Sequence, residues 1–261
     1  GLAASGGELS ARLLVAKPSD ERKKQGDKRM KLALAADLHG NLTALTALER
    51  ELAALKPDEI WFLGDAVGKG PSNAEATDWV RANCSRCLGG NWDYGIGRKQ
   101  FAGDAYFWNQ LGAERMAFLA GLPAEMDAWI SGRHFRFFHG RPVHELLFAQ
   151  SESELITPTF HTDHGDFDAV CFADSHRPFF RTMNAGYFMN TGSVGNSMGV
   201  NCAHFLLIEG QLDSREKAPL YVTIGSVPYD NEAEAEIARR DPALPHQAEY
   251  IREILTGEYS R

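Results

Sequence analysis

Five short segments of this chain carry side chains that ligate hard metal ions: Asp37-Leu38-His39, Gly64-Asp65, Gly90-Asn91, His139-Gly140 and Asp174-Ser175-His176. In an i, i+2 pair such as Asp37 and His39, a bend at a strand end aims both side chains at one ion. Carboxylate, imidazole and amide oxygen together suit Mn²⁺, Fe or Zn²⁺ in a dinuclear site with one aspartate bridging. Each segment alone says little. Asp-x-His arises often by chance, Gly-Asp after a strand is commonly a turn, and a lone histidine is commonly a core or loop residue. Their order along the chain, each directly after an apolar run, carries the weight.

Those runs define the elements that must position the ligands. Residues 32–36 form an apolar run that stops at Asp37, the pattern of a buried parallel strand. Leu42, Leu45, Leu48, Leu52 and Leu55 follow at helical spacing until Pro57. A second strand over 60–63 ends at Gly64-Asp65, and Ser72 with Glu75 reads as a capping box opening a helix through Arg81. A third strand runs into Gly89-Gly90-Asn91. This β-α-β-α-β order predicts a parallel sheet, whose ligands gather at the crevice beyond the strand ends. Residues 95–122 read as a mostly helical cap insertion, with Trp108, Leu111, Met116 and Leu119 apolar. Strands are expected over 129–130, 135–138, 170–172, 187–189, 205–208 and 221–224, then helices over 232–240 and 246–255 with Gly257 as a stop. One domain over 30–261 is expected, with 1–29 a leader or tail rich in Lys, Arg, Gly and Ser and Met30 a candidate start.

Composition bounds the partners. A chain of 261 residues buries a full core without disulfide or metal staples. A net charge of −8 argues against long nucleic acids and anionic membranes, which need Lys and Arg in excess. A small phosphorylated substrate stays compatible, because a metal ion supplies positive charge locally. Cys84 and Cys87 form a CxxC with no second pair at zinc spacing, so Cys87 reads as a small strand residue beside an incidental neighbour. No apolar run approaches the ~20 residues of a membrane span, and cytoplasmic residence is expected.

With Asp37-Leu38-His39-Gly40-Asn41, residues 64–71 (Gly-Asp-Ala-Val-Gly-Lys-Gly-Pro), His139-Gly140-Arg141-Pro142 and Asn190-Thr191-Gly192-Ser193-Val194-Gly195 in view, the chain resembles the calcineurin-like metallophosphoesterase superfamily. Within it, the small bacterial and archaeal phosphodiesterase and diadenosine-tetraphosphatase-like branch is the nearest in pattern, over about residues 31–257. The resemblance implies an α/β sandwich of two packed mixed sheets flanked by helices. It also implies one divalent ion held by Asp37, His39, Asp65 and His176, and a second held by Asp65, Asn91, His139 and Asp174, with Asp65 bridging. A hydroxide between the ions would attack phosphorus in line, with Asp65, Asn91 and His139 at the reacting centre. Asn41, Lys69, Trp92 and Arg141 are the implied substrate-binding residues.

Two departures from the family pattern stand out. Trp92 occupies the place of the usual histidine after Gly-Asn, which removes a proton donor for the leaving group. That loss matters least for a phosphodiester with a good leaving group or a nucleotide phosphoanhydride; His144, His161 and His164 are the possible stand-in acids. Asp174 stands in the Ala173-Asp174-Ser175-His176 run where the family has a histidine, which lowers the positive charge of the site and favours Mn²⁺, Mg²⁺ or Fe. The expectation is a metal-dependent phosphoesterase, with Mn²⁺ ahead of Fe, Mg²⁺ and Zn²⁺. A phosphomonoesterase or phosphoprotein phosphatase, and a non-catalytic metal- or nucleotide-binding relative, are the alternatives.

Overall fold

The computed structural model describes residues 29–163 and 165–260. The expected leader lies outside the described residues except for Arg29, and so does His164.

β1 (Met30–Ala35) shows how the layers arise. Successive side chains of a strand point to opposite faces, so Leu32, Leu34 and Ala36 enter one apolar cluster while Ala33 and Ala35 enter another. Around β1 builds a five-stranded sheet in the order β12 (Tyr221–Val227), β11 (Ala203–Gly210), β1, β2 (Glu59–Phe62), β3 (Arg86–Cys87). The last three strands are parallel and the first two antiparallel additions. A second five-stranded sheet has the order β4 (Glu125–Ile130), β5 (Arg133–Phe138), β8 (Ala169–Phe172), β10 (Gly186–Asn190), β9 (Phe179–Met183). Here β5, β8 and β10 are parallel, with an antiparallel strand at each edge. The expected sandwich of two mixed sheets is what forms.

The sheets pack face to face through Leu34, Trp61, Leu63, Phe135, Phe137, Cys171 and Met189, and Trp61 meets Phe137 edge-on at 5.3 Å between ring centres. Helices α1 (Leu42–Leu55), α2 (Asn73–Asn83), α6 (Asn231–Arg239) and α7 (Gln247–Thr256) flank the first sheet, burying Leu48, Trp79, Ala235 and Ile254. Helices α3 (Asn91–Gly97) and α4 (Ala105–Gly121) pack on each other beside them, and α4 is interrupted at Gly112. Phe138, Phe172 and Phe188 cover the outer face of the second sheet under Leu147, Ile156 of α5 (Ser153–Ile156) and Phe160.

Local differences from expectation have simple causes. Ser72 precedes α2 but makes no side-chain cap, and its own amide donates to the Gly40 carbonyl at 2.8 Å. β3 holds only two residues; Leu88 N still bonds Phe62 O at 2.8 Å, and by Gly89 the amide has turned to Pro123 O at 2.9 Å. β9 and the small hairpin β6–β7 (His161–Thr162, Gly165–Asp166) were not anticipated, because Phe179–Met183 lacks the apolar run of a buried strand and its exposure alternates at a sheet edge. Gly257 does end α7, in the left-handed region at φ 69°.

Candidate metal centre

The five segments meet where the parallel strands stop. Asp37 and His39 follow β1, Asp65 follows β2, Asn91 follows β3, His139 follows β5, and Asp174 to His176 follow β8. Two groups of ligating atoms result, Asp37 with His39 and His176, and Asp37 with Asp65 and His139, each within 4.8 Å of one another. Asp37 Oδ1 lies 3.6 Å from His39 Nε2, 3.3 Å from His176 Nε2 and 3.7 Å from His139 Nε2. Asp65 Oδ2 lies 3.8 Å from His39 Nε2 and 3.3 Å from His139 Nε2. Both carboxylates therefore reach across the centre, and Asp37, rather than the expected Asp65, is the member common to the two groups.

Backbone geometry aims these side chains. Asp37, His39, Asp65, Lys69, Asp174 and His176 all have φ between 47° and 63°, the left-handed region that non-glycine residues seldom occupy. Such strain persists only where surrounding structure over-determines it. Here the loops are cross-tied, Asp37 N to Gly64 O at 2.9 Å, His39 N to Asp65 O at 3.1 Å and Gly195 N to Asp37 O at 2.9 Å. Gly195 permits the last contact, since a Cβ there would lie 1.8 Å from the Leu38 carbonyl oxygen.

Each imidazole is oriented by its far nitrogen. His39 Nδ1 faces Val67 O at 3.1 Å, His139 Nδ1 faces Leu63 O at 2.7 Å and His176 Nδ1 faces Asn196 O at 2.6 Å. Donation to a carbonyl from Nδ1 leaves the Nε2 lone pair toward the centre in all three, as metal-ligating histidines require. His39 Nε2 and His176 Nε2 approach each other to 3.2 Å, whereas three other ligand atoms lack hydrogen bonds. Asp37 Oδ1, Asn91 Oδ1 and His139 Nε2 are buried with no hydrogen-bond partner. Burying three such atoms unpaired costs several kcal/mol in sum, at about 1–3 kcal/mol each. A cation bound between them removes that penalty, so the donor set fits divalent metal.

The electrostatics agree. Burial pushes the Asp37 carboxyl up, yet His176 and His139 outweigh it and hold it well below the carboxylate range. Burial pulls His139 down, but Asp65 and Asp37 raise it well above the ordinary imidazole value. His39 falls, chiefly by burial, with Asp37 and Asp65 opposing. These opposed shifts describe fixed negative charge in a dry site, which is what a cation neutralises.

The other expected site residues fall into different roles. Trp92 and Arg141 line a cavity of about 700 Å³ above the centre, together with Asp65, Asn91, Asp174 and His176. Phe101, Phe148, Met198 and Tyr259 supply its apolar wall. Asn41, expected to touch substrate, is instead fully buried: its Oδ1 caps α1 by accepting from Ala44 N, and its Nδ2 donates to Gly195 O and Tyr229 Oη. Lys69 lines the cavity, but its Nζ donates to Asn196 Oδ1 at 2.6 Å and Glu253 Oε2 at 3.2 Å in a buried pair. Asp174 lies at the centre's edge, outside both ligand groups, with both oxygens accepting from Arg141. His144 and His161 do not line the cavity. Cys84 and Cys87 are free and belong to neither ligand group.

One positioning residue escaped the sequence reading. Asp93 is fully buried and accepts from Asp65 N at 2.7 Å, Ala66 N at 3.0 Å and Gly90 N at 3.1 Å. Burial and the Asp65 charge push its carboxyl up to about 7. Its signal was its place two residues after Asn91, where an acid at the third position of a helix reaches back to the cap amide.

The model of the calcineurin-like phosphoesterase superfamily domain matches residues 30–213. The chain belongs to the calcineurin-like phosphoesterase superfamily. As a member of that superfamily it shares 27% identity over 205 residues with an uncharacterized protein of Methanocaldococcus jannaschii, covering 68% of this chain and 82% of the relative. Among solved structures, a metallophosphoesterase of Sphaerobacter thermophilus superposes with a TM-score of 0.70 at 23% identity, covering 88% of this chain and all of that one. A hypothetical protein of Pyrococcus horikoshii gives a TM-score of 0.70 at 22% identity over 88% of this chain and 99% of that one. These likenesses establish the fold of the phosphoesterase domain, and its two Asp/His groups could each hold a metal ion.

Proposed function

We propose that the chain is a metal-dependent phosphoesterase acting on a small substrate, a phosphodiester or a nucleotide phosphoanhydride. The observation that carries this reading is the set of buried, partnerless ligand atoms, Asp37 Oδ1, Asn91 Oδ1 and His139 Nε2, at the centre beneath a cavity of about 700 Å³. Asp37, His39 and His176 would hold one ion, and Asp37, Asp65, Asn91 and His139 the other. Two divalent ions would supply Lewis acidity toward the phosphoryl oxygens and an activated water near neutral pH. The chain's own residues do the rest. Their Nδ1 bonds to carbonyls lock the histidines, and Asp65 Oδ1, held by Trp92 N at 2.9 Å, keeps Oδ2 turned inward. Trp92 offers no proton at the cavity, so the chain favours leaving groups that depart as stable anions. The mixed set of carboxylate, amide oxygen and imidazole suits Mn²⁺, Fe or Zn²⁺, and Mn²⁺ is taken first.

The decisive experiment is hydrolysis of bis(p-nitrophenyl) phosphate by protein loaded with Mn²⁺. Asp65→Asn should cut kcat/KM by roughly a thousandfold, the several kcal/mol attributed to metal polarisation. A faster reaction with p-nitrophenyl phosphate than with the diester would put monoester hydrolysis first. No turnover of diesters, monoesters or dinucleoside polyphosphates with Mn²⁺, Fe, Mg²⁺ or Zn²⁺ would leave a binding module in place of an enzyme.

A further inference from the structure

We propose that Asp174 is not a metal ligand but the anchor of Arg141, and that the pair, with Ser175, forms a phosphoryl-oxygen subsite at the cavity edge. The inference rests on the phosphoesterase reading above for the identity of its ligand, a phosphoryl anion.

Both Asp174 oxygens are engaged by Arg141. Its Oδ2 accepts from Arg141 N at 3.0 Å and Nε at 2.8 Å, and its Oδ1 accepts from Nη2 at 2.6 Å. This is the two-pronged guanidinium–carboxylate pairing, stronger and more directional than a lysine contact. The Asp174 side chain is 2% exposed and that of Arg141 51% exposed, so the anchor is buried while the guanidinium reaches the cavity. Among the described residues, Arg141 Nη1 has no protein acceptor, and its outer edge is left for a ligand.

The seat for this pair is built into the chain. Gly140 stands between His139 and Arg141 at φ 146°, and a Cβ on it would lie 2.6 Å from Asp174 Cβ and 2.7 Å from Oδ2. Only glycine lets the Arg141 backbone close over the carboxylate. The Asp174 amide donates to Asp37 Oδ2 at 3.3 Å, so the backbone of this residue meets the centre while its carboxylate is paired with Arg141. A separate observation indicates a ligand: Ser175 Oγ is buried, lines the same cavity and lacks any hydrogen-bond partner. A hydroxyl and a guanidinium edge beside a dinuclear centre are the donors that a phosphoryl oxygen accepts from.

Elemental analysis and titration with inorganic phosphate test this directly. After Mn²⁺ loading and dialysis, Asp174→Asn should retain as many ions per chain as the native protein. Inorganic phosphate, followed by calorimetry on the loaded protein, should bind about tenfold more weakly to Asp174→Asn and to Arg141→Ala. The double variant should be no worse than Arg141→Ala, since the two residues act as one unit. Added guanidinium should restore phosphate binding in Arg141→Ala and do nothing for Asp174→Asn. Loss of one ion per chain in Asp174→Asn, or unchanged phosphate affinity in Arg141→Ala, overturns the proposal. The exposed Arg141→Ala change is expected to fold, and its phosphate affinity decides the matter even if Asp174→Asn does not. Absence of turnover in the native protein would remove the phosphoesterase reading while leaving these binding outcomes to decide the subsite.

Discussion

Trp92 shows how one side chain reshapes chemistry without moving the metal ligands. Its backbone amide still holds Asp65 Oδ1, while its ring packs over Gly68, where a Cβ would lie 2.3 Å from Cε3, and edge-on to Phe107 at 6.3 Å. The side chain can therefore change while the ligand loop keeps its hydrogen bond. Trp92→His should raise the hydrolysis of phosphodiesters with alkyl leaving groups by about tenfold to a hundredfold, the usual worth of a positioned general acid. The bis(p-nitrophenyl) ester should gain little, because its leaving group needs no proton. Rates measured across a series of leaving groups check this, and an equal gain at both ends of the series would count against it. At the same scale, the sequence showed the types and order of Asp37, His39, Asp65, Asn91, His139 and His176 plainly. It could not show that the Asn41 amide is spent on capping α1 and holding Gly195, because its Nδ2 acceptors lie 154 and 188 residues away.

At the scale of elements, the loop after β1 starts α1, and α1 is braced by the two C-terminal helices. Glu234 of α6 is fully buried and accepts from Thr43 N at 3.2 Å, Thr43 Oγ1 at 2.6 Å and Tyr250 Oη at 3.0 Å, joining α6, α1 and α7. Burial, opposed by these donors, raises its carboxyl above the ordinary glutamate value. The folded state thus binds this proton more tightly than the unfolded chain does. The linked stability is fully present below the unfolded pKa and is lost as pH rises through the folded one. In metal-free protein, the melting temperature of the native chain relative to Glu234→Gln should therefore fall as pH rises above about 4, the unfolded glutamate value. A constant or rising difference would show that the carboxyl is not raised. The helical periodicity of α1, α6 and α7 was legible, but their mutual brace was not, since a lone glutamate on a helix reads as a solvated residue.

For the whole molecule, the metal centre joins the ends of strands from both sheets: Asp37, Asp65 and Asn91 come from the first, and His139 and His176 from the second. Bound cations should act as a clasp between the layers. At a metal concentration of a hundred times Kd, binding adds about 2.7 kcal/mol, which for a domain of this size is about 5–10 °C in Tm. Scanning calorimetry with and without excess chelator should show that drop, and Asp37→Ala should abolish the metal response. The net charge of −8 fits this arrangement, because part of it is gathered at a site that cations neutralise. What the sequence alone determined was the parallel strand order and the ligand at each strand end, since apolar runs and ligating residue types are local properties. Only the tertiary structure decided which of the candidate side chains gather at one centre. Asp174 meets Arg141 across 33 residues and Lys69 meets Glu253 across 184, and such partners appear only when the chain closes on itself. The physical reason is that a charged side chain takes its role from the nearest opposite charge in space, whatever its position in the sequence.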